Sequence, residues 1–210
     1  LGIGRFPVTT ESQARIMVDK TIAHLRRDNA GEWRNRIIVM GDDGDNNIHM
    51  KDANRVADRI MDMSPDLELH KIMWDNYIRT NQGLYYSYPE IRSMIEEHIN
   101  EGAMLFNYTG HGATYLMSHE RVITLDDIKS WKSDNLPLWF VAACDITPFD
   151  SQEDNLGEAA VLNKNGVAVA FIGTARTVYS TQNYYLNQFF SQFLFDNDEY
   201  GRRFSVGDAL

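Results

Sequence analysis

A thiol and an imidazole stand out among the side chains that can do chemistry. Cys144 is the single cysteine of the 210-residue sequence, and His111 precedes it by 33 positions. A cysteine thiol with an ordinary pKa of about 8.5 is mostly protonated at neutral pH, and a nearby imidazole gives it thiolate character. The two residues therefore supply the catalytic groups of a thiol peptidase. Cys144 would be the nucleophile, and His111 would be the base that later protonates the leaving amine.

Small residues surround both groups. Gly110 and Gly112 flank the histidine, and two alanines precede the cysteine. A glycine leaves its backbone N–H open to a developing negative charge, so the amides of Gly112 and Cys144 are the predicted oxyanion hole. Taken alone, Cys144 could be a small buried hydrophobe and His111 a turn residue. Their joint occurrence favours chemistry over these structural roles.

An acidic loop supplies a third candidate group. Asp42, Asp43 and Asp45 follow an apolar run. Asp43 is predicted to orient His111 or to stabilise its positive charge, and Asp42 and Asp45 remain alternatives. The same loop resembles a calcium loop, but Ile48 stands where such a loop needs glycine when the count starts at Asp43. A solvated acidic loop is favoured, so no cofactor or metal is expected; structural calcium stays an open alternative without a clear motif.

Short apolar runs alternate with amphipathic segments along the chain. The runs predict strands, and apolar residues at helical spacing predict helices between them. Strands that are apolar throughout, rather than alternating, indicate a parallel sheet that is covered on both faces. The expected fold is a three-layer α/β/α sandwich with a mostly parallel sheet. The predicted strands are 36–40, 67–74, 103–108, 138–143 and 166–173, and the predicted helices are 11–27, 52–63, 89–101, 125–131, 156–163 and 184–195.

The predicted strands explain how the candidate groups would meet. Parallel sheets bind ligands at the carboxyl ends of their strands. The acidic loop, His111 and Cys144 each follow the end of a different predicted strand. We therefore expect a carboxylate, an imidazole and a thiol to converge on one edge of the sheet.

Composition limits the class of protein. With 43% hydrophobic and 11% aromatic residues, the chain is expected to form one globular domain over residues 1–210. The net charge of −10 argues against a nucleic acid partner, and no apolar run reaches the roughly 20 residues of a transmembrane helix. A single cysteine excludes an internal disulfide and a multi-cysteine zinc site. Residues 1–30 are expected to be a lead-in segment and helix, in a fragment of a longer protein.

Two motifs carry a family resemblance that covers nearly the whole chain. The sequence resembles the gingipain family of cysteine peptidases in the order of its strands and helices, in Gly4-Arg5-Phe6-Pro7, and in Asn107-Tyr108-Thr109-Gly110-His111-Gly112 followed by Ala143-Cys144. The resemblance implies a caspase-like catalytic fold with His111 and Cys144 as the catalytic dyad. It also implies an acidic residue that assists the histidine from the end of the first strand, where Asp43 falls.

Some residues depart from the arginine-specific members of that family. His49 replaces the aspartate that receives an arginine side chain, and Asp145-Ile146-Thr147 follows the nucleophile. The segment 171–179 is instead similar to the PorU-type surface sortases of type IX secretion. This resemblance implies a peptidase that removes C-terminal sorting domains of cargo and passes the acyl-enzyme to a lipopolysaccharide amine. It also implies other type IX secretion components as partners, and a location at the bacterial cell surface or outer membrane, or secreted.

Three further residues are candidates for the substrate pocket. They are His49, Arg176 and Tyr179, whose structural alternatives are a helix cap, a salt bridge and core packing respectively. Two other functions remain open. The chain can be a gingipain-like endopeptidase that only hydrolyses, or a catalytically silent scaffold of the secretion machinery. The intact dyad argues against the scaffold, which has no chemical need for both groups.

Overall fold

The computed structural model describes residues 2–210, so Leu1 of the predicted lead-in segment lies outside the described residues. In chain order the helices are α1 (Glu11–Arg26), α2 (Gly44–Met63), α3 (Pro89–Glu101), α4 (Leu125–Ser130), α5 (Leu156–Leu162), α6 (Ser180–Phe195) and α7 (Val206–Ala209). The strands are β1 (Arg36–Gly41), β2 (Glu68–Met73), β3 (Thr80–Asn81), β4 (Tyr86–Ser87), β5 (Leu105–Thr109), β6 (Gly112–Ala113), β7 (Leu116–Met117), β8 (Ile123–Thr124), β9 (Leu138–Ala142) and β10 (Ala170–Ile172).

Five of these strands form the central sheet in the order β10-β9-β5-β1-β2, and every neighbouring pair is parallel. The chain moves outward from β1 to β2 and then returns to place β5 on the other side of β1. The order therefore reverses between β1 and β5, and such a switch point opens a crevice at the carboxyl ends of the strands. The prediction of a mostly parallel α/β sheet is confirmed.

The strands are buried on both faces. Ile37, Ile38, Val39 and Met40 are consecutive in β1 and all are completely buried. Consecutive strand residues point to opposite faces, so both faces of the sheet are covered. The helices provide this cover: α2 packs on β1 and on α6, and α5 packs on β10, α1 and α4. No helix within residues 2–210 is long and apolar enough to cross a membrane.

The expected lead-in helix is packed onto the domain. Thr10 and Gln13 form a capping box that starts α1. From the middle of this helix, Lys20 Nζ donates to the carbonyl oxygens of Val161 at 2.8 Å and Gly166 at 2.9 Å. These bonds join α1 to the carboxyl-terminal end of α5.

Several boundaries differ from the predictions. Helix α2 is bounded by Gly44, but its residues 45–47 have positive φ, so the regular part of the helix begins after Asn47, a few residues earlier than predicted. Helix α6 starts at Ser180, also earlier than predicted. The last strand is limited to 170–172 because Gly166 and Val167 have φ of 122° and 76°, outside the extended region. The small sheets β3–β4 and β6–β8 were not predicted, because strands of two residues carry no recognisable periodicity.

Candidate active site

Three neighbouring strands end at the same level. Gly41 of β1 is paired with Thr109 of β5, and Thr109 is paired with Ala142 of β9. This register ends two residues before His111 on β5 and two residues before Cys144 on β9. The neighbouring strands β5 and β9 thus lead to these two predicted residues at one edge of the sheet, beside the switch point between β1 and β5.

Asp42 fixes the backbone that carries the histidine. It is buried, and its carboxylate accepts hydrogen bonds from the backbone nitrogens of His111 at 2.7 Å and Gly44 at 3.0 Å. The Tyr108 hydroxyl lies 3.1 Å from the same carboxylate and 2.8 Å from the His111 carbonyl oxygen. Burial, and then the charge of Asp42, raise the pKa of Tyr108 well above its usual value, so the phenol remains a donor.

Gly110 allows this close arrangement. A Cβ at this position would lie 2.3 Å from the Tyr108 hydroxyl and 2.7 Å from the Asp42 carboxylate. Any larger residue would push the histidine away from its anchor. The glycine before His111 therefore has a steric role in addition to its backbone freedom.

Three side chains contact the His111 ring. Its Nε2 lies 3.2 Å from Asp45 Oδ2. His49 meets the ring edge-on at 4.9 Å, and His119 stacks on it at 4.4 Å with an interplanar angle of 19°. Sequence reasoning missed His119, because the hairpin β6–β7 that returns the chain to His111 consists of strands too short to predict.

The acidic residue beside His111 is not the predicted one. Asp43 Oδ2 accepts a hydrogen bond from the Tyr88 hydroxyl at 2.6 Å, whereas Asp45 contacts the His111 ring. Asp45 and the two asparagines after it have φ of 52°, 57° and 63°, a left-handed turn that carries Asp45 back to the sheet edge. Aspartate and asparagine adopt this region more readily than other non-glycine residues. The structure thus brings Asp45, one of the alternatives left open, against the His111 ring in place of the predicted Asp43.

Cys144 is half-buried and is held by a neighbouring segment. Its Sγ accepts a hydrogen bond from the Val178 nitrogen at 3.4 Å and donates to the Val178 carbonyl oxygen at 3.6 Å. We name residues 174–178 the clamp segment. It is attached around the cysteine, because Asp145 N donates to the Arg176 carbonyl oxygen and the Thr177 hydroxyl donates to the Asp145 carboxylate. Over residues 2–210, no hydrogen bond joins the thiol and the His111 ring.

The predicted oxyanion hole consists of two backbone amides. Ser118 N donates to the His111 carbonyl oxygen at 2.9 Å, so these two residues form a bonded pair of the antiparallel ladder. Gly112, paired with Met117, is next along the ladder and belongs to a non-bonded pair, which directs its N–H away from β7. In the part of the chain that the structure describes, the Cys144 N–H has no protein acceptor. Both donors are therefore free.

The three substrate-pocket candidates lie in different environments. His49 is buried at 7% exposure against His111, so it does not line an open groove. Arg176 is exposed and forms an ion pair with Asp150. Tyr179 is 82% exposed at the start of α6, so core packing is excluded for it.

The acidic loop does not form an oxygen cage. Asp42 faces the backbone of His111, Asp43 faces Tyr88, and Asp45 faces the two histidine rings. Calcium needs six to eight converging oxygens, and these carboxylates diverge. The groups that do converge are mixed. One ligand atom from each of Asp42, His49 and His111 lies within 4.8 Å of the others.

Comparisons with solved structures agree with this architecture. The Arg-specific cysteine proteinase gingipain R (RgpB) matches with a TM-score of 0.77 and 18% identity, over 99% of this chain and 48% of that one. The complex of Porphyromonas gingivalis RgpB pro- and mature domains matches with a TM-score of 0.73 and 18% identity, over 94% and 46%. The chain thus spans about half the length of these proteins. A further protease structure matches with a TM-score of 0.67 and 16% identity, over 86% and 38%.

No curated protein sequence matches the chain. The fold shared with gingipain R is the caspase-like α/β fold, with a mostly parallel sheet and flanking helices. The model of one protein family, peptidase family C25, matches residues 1–210. The match covers the whole sequence, and the chain therefore belongs to peptidase family C25, a family of cysteine peptidases.

Proposed function

We propose that this chain is the catalytic part of a PorU-type sortase that works through a His111–Cys144 dyad. Such an enzyme removes the C-terminal sorting domain of type IX secretion cargo at the bacterial cell surface. It then transfers the cargo to an amine of lipopolysaccharide. The observation that supports the proposal is the register of β5 and β9, in which Thr109 pairs with Ala142, two residues before His111 and Cys144, at the ligand-binding edge of the sheet.

The proposed reaction follows from the positions of these groups. Cys144 Sγ bonds to the scissile carbonyl carbon while its proton passes to His111, and the Gly112 and Cys144 amides stabilise the oxyanion. The carbon–nitrogen bond then breaks, and His111 gives the proton to the leaving amine. The resulting thioester is attacked by an amine, which yields an amide, or by water, which yields a free acid. In both cases the thiol is regenerated.

The environment of His111 assigns its two ring nitrogens. Nε2 faces Asp45, so it carries the ring proton in the neutral form and donates it to that carboxylate. Nδ1 is then the atom that accepts the thiol proton. Asp45 stabilises the imidazolium that forms, and Asp42 holds the backbone so that the ring cannot drift from the sheet edge.

The clamp segment supports the sortase hypothesis over simple hydrolysis. The stretch 171–179 carries the resemblance to PorU-type sortases, and Val178 within it contacts the nucleophile.

The acidic loop supports a departure from arginine specificity. Asp42, Asp43 and Asp45 all have protein partners, and His49 is buried. An arginine side chain buried without a free carboxylate would lose several kcal/mol, roughly the cost of an unpaired buried charge.

The test incubates the full-length protein with a cargo that bears its sorting domain, with and without glycinamide as a small acceptor amine. Mass analysis of the new carboxyl terminus should show an amide when the amine is present. Free acid alone under both conditions would favour the hydrolytic endopeptidase. Absence of cleavage, together with iodoacetamide labelling that is no faster at Cys144 than in the His111→Ala variant, would favour the scaffold.

A matched variant and a second substrate complete the test. Cys144→Ala should abolish cleavage while thermal stability stays nearly unchanged, because the thiol is half-buried and makes only weak hydrogen bonds. An arginine-containing fluorogenic peptide should be a poor substrate. Efficient cleavage of that peptide would contradict the sortase proposal in favour of an arginine-accepting endopeptidase.

A further inference from the structure

His49 is a buried histidine without a hydrogen-bond partner. It is 7% exposed, and its Nε2 is fully enclosed without a hydrogen bond to any group in residues 2–210. A buried ring nitrogen that is left unpaired costs free energy, and native proteins usually satisfy such atoms. The atom is directed at the carboxylate of Asp45, with 3.5 Å between Nε2 and Oδ2. A ligand placed between these two groups would supply the missing partner.

The distances around Asp45 fit a tetrahedral metal ion. Asp45 Oδ2 lies 3.2 Å from His111 Nε2 and 3.5 Å from His49 Nε2. Bonds of about 2.0–2.1 Å from zinc to nitrogen or oxygen imply tetrahedral edges of roughly 3.3–3.4 Å. Both observed distances are close to that edge. A ring nitrogen of each histidine also lies within 4.8 Å of one of the other, in a group that includes a carboxylate oxygen of Asp42.

The donor set selects the metal. Two imidazoles and one carboxylate are typical ligands of Zn²⁺, with a fourth position left for water. Calcium and magnesium need oxygen ligands instead. Asp42 would support the site from outside. Its carboxylate accepts hydrogen bonds from the backbone nitrogens of His111 and Gly44, and so it fixes the position of His111, one of the ligands.

We propose that His49, His111 and Asp45 form a Zn²⁺ site that switches the peptidase off. Zinc at His111 Nε2 displaces the proton from that atom. The neutral ring then keeps its one proton on Nδ1, where the lone pair needed to accept the Cys144 proton is no longer available. The switch rests on the proposed function of His111 as a base, whereas binding of the metal does not depend on it.

The binding test uses Zn²⁺ alone and the Cys144→Ala protein, so that the thiol cannot contribute a ligand. Competition with a chromogenic chelator should show one zinc ion per chain. His49→Gln and Asp45→Asn should each weaken binding by at least tenfold. Asp45 is an exposed side chain, so its variant tests the site even if the buried His49→Gln substitution impairs folding.

A second histidine pair supplies the matched control. His70 and His98 also meet edge-on at 4.9 Å, and His98 lies 3.8 Å from the Glu101 carboxylate. His70→Gln should leave zinc binding unchanged. Absence of stoichiometric binding, or loss of binding in His70→Gln but not in Asp45→Asn, would overturn the proposal.

An activity measurement separates the two proposals. Zinc should inhibit Cys144-dependent cleavage by the wild-type protein, EDTA should restore it, and Asp45→Asn should need at least tenfold more zinc for half-inhibition. Stoichiometric zinc binding without any cleavage would leave the metal site standing and refute the dyad. Cleavage that zinc at saturating occupancy does not inhibit would refute the switch and leave the dyad standing.

Discussion

The backbone of Val178 contacts the thiol of Cys144 through two atoms: its nitrogen lies 3.4 Å and its carbonyl oxygen 3.6 Å from Sγ. A substrate carbonyl must approach this sulfur along a path that the clamp segment borders. The Thr177 hydroxyl donates a hydrogen bond of 3.1 Å to the Asp145 carboxylate, and this bond helps to hold the segment in place. The position of the segment should therefore govern access to the nucleophile.

Thr177→Val should make Cys144 more reactive. The substitution keeps the shape of the side chain and removes a hydrogen bond worth about 0.5–1.5 kcal/mol, which corresponds to an increase of roughly two- to tenfold in the open population. The measurement is the rate of alkylation by iodoacetamide at fixed pH. Thr21→Val is the control, because that hydroxyl bonds to Met17 in α1. An unchanged or slower rate would mean that the clamp segment does not limit access.

Asp45→Asn should lower turnover more than Asp43→Asn. Asp45 contacts the His111 ring, and loss of a hydrogen bond to a charged group at an exposed site costs about 1.5 kcal/mol, or roughly tenfold in rate. Asp43 instead pairs with Tyr88, so its variant should lose about 1 kcal/mol of stability, a few degrees in Tm, with little change in turnover. His111→Ala should exceed both effects on turnover. A larger kinetic effect from Asp43 would reverse the assignment.

Gly112→Ala should reduce kcat/KM by about a hundredfold. The new Cβ would lie 2.8 Å from the Cβ of Ala143 and 3.1 Å from the Cys144 carbonyl oxygen, so the loop that carries His111 must move away from the nucleophile. Displacement of a catalytic group by about 1 Å costs roughly 10²-fold. Gly4→Ala is the control, because nothing lies within 4 Å of a Cβ there. Equal activity in both variants would show that the loop accepts the added methyl group without displacing His111, and would contradict this prediction.

His98 should make the protein less stable in acid. Its burial, and then the nearby His70, lower the pKa of His98 below the ordinary value of 6.5. Between the lowered pKa and 6.5 the unfolded chain binds the proton and the folded chain does not. The free energy of unfolding therefore falls as the pH drops below about 6.5.

Urea denaturation at pH 7.5 and pH 5.5 measures this effect. His98→Gln should show a smaller loss of unfolding free energy between the two pH values than the wild type, because it removes the buried titrating ring. His119→Gln is the control, since it removes an exposed histidine ring in place of a buried one. The same loss in wild type and His98→Gln would show that other groups cause the acid sensitivity.

The apolar runs were sufficient to predict the sheet. Ile37 to Met40 have no polar alternation because helices cover both faces of β1, and this local pattern is visible without the fold. Helix α3 was predicted with its observed bounds, since Pro89 opens it and Gly102 follows its end. The expected caspase-like fold and the family follow from the same order of elements together with the motifs.

The sequence by itself determined which residues follow the strands, because strand ends depend on short local patterns; this is why His111 and Cys144 could be named as candidates. The adjacency of the strand ends that lead to them required the tertiary structure, since only the order of β1, β5 and β9 makes those ends neighbours. The choice of Asp45 over Asp43 depends on a left-handed turn at residues 45–47, and the approach of His119 depends on a hairpin of two-residue strands. Such contacts join groups through backbone conformations that no periodicity encodes, so they were decided by packing rather than by local sequence.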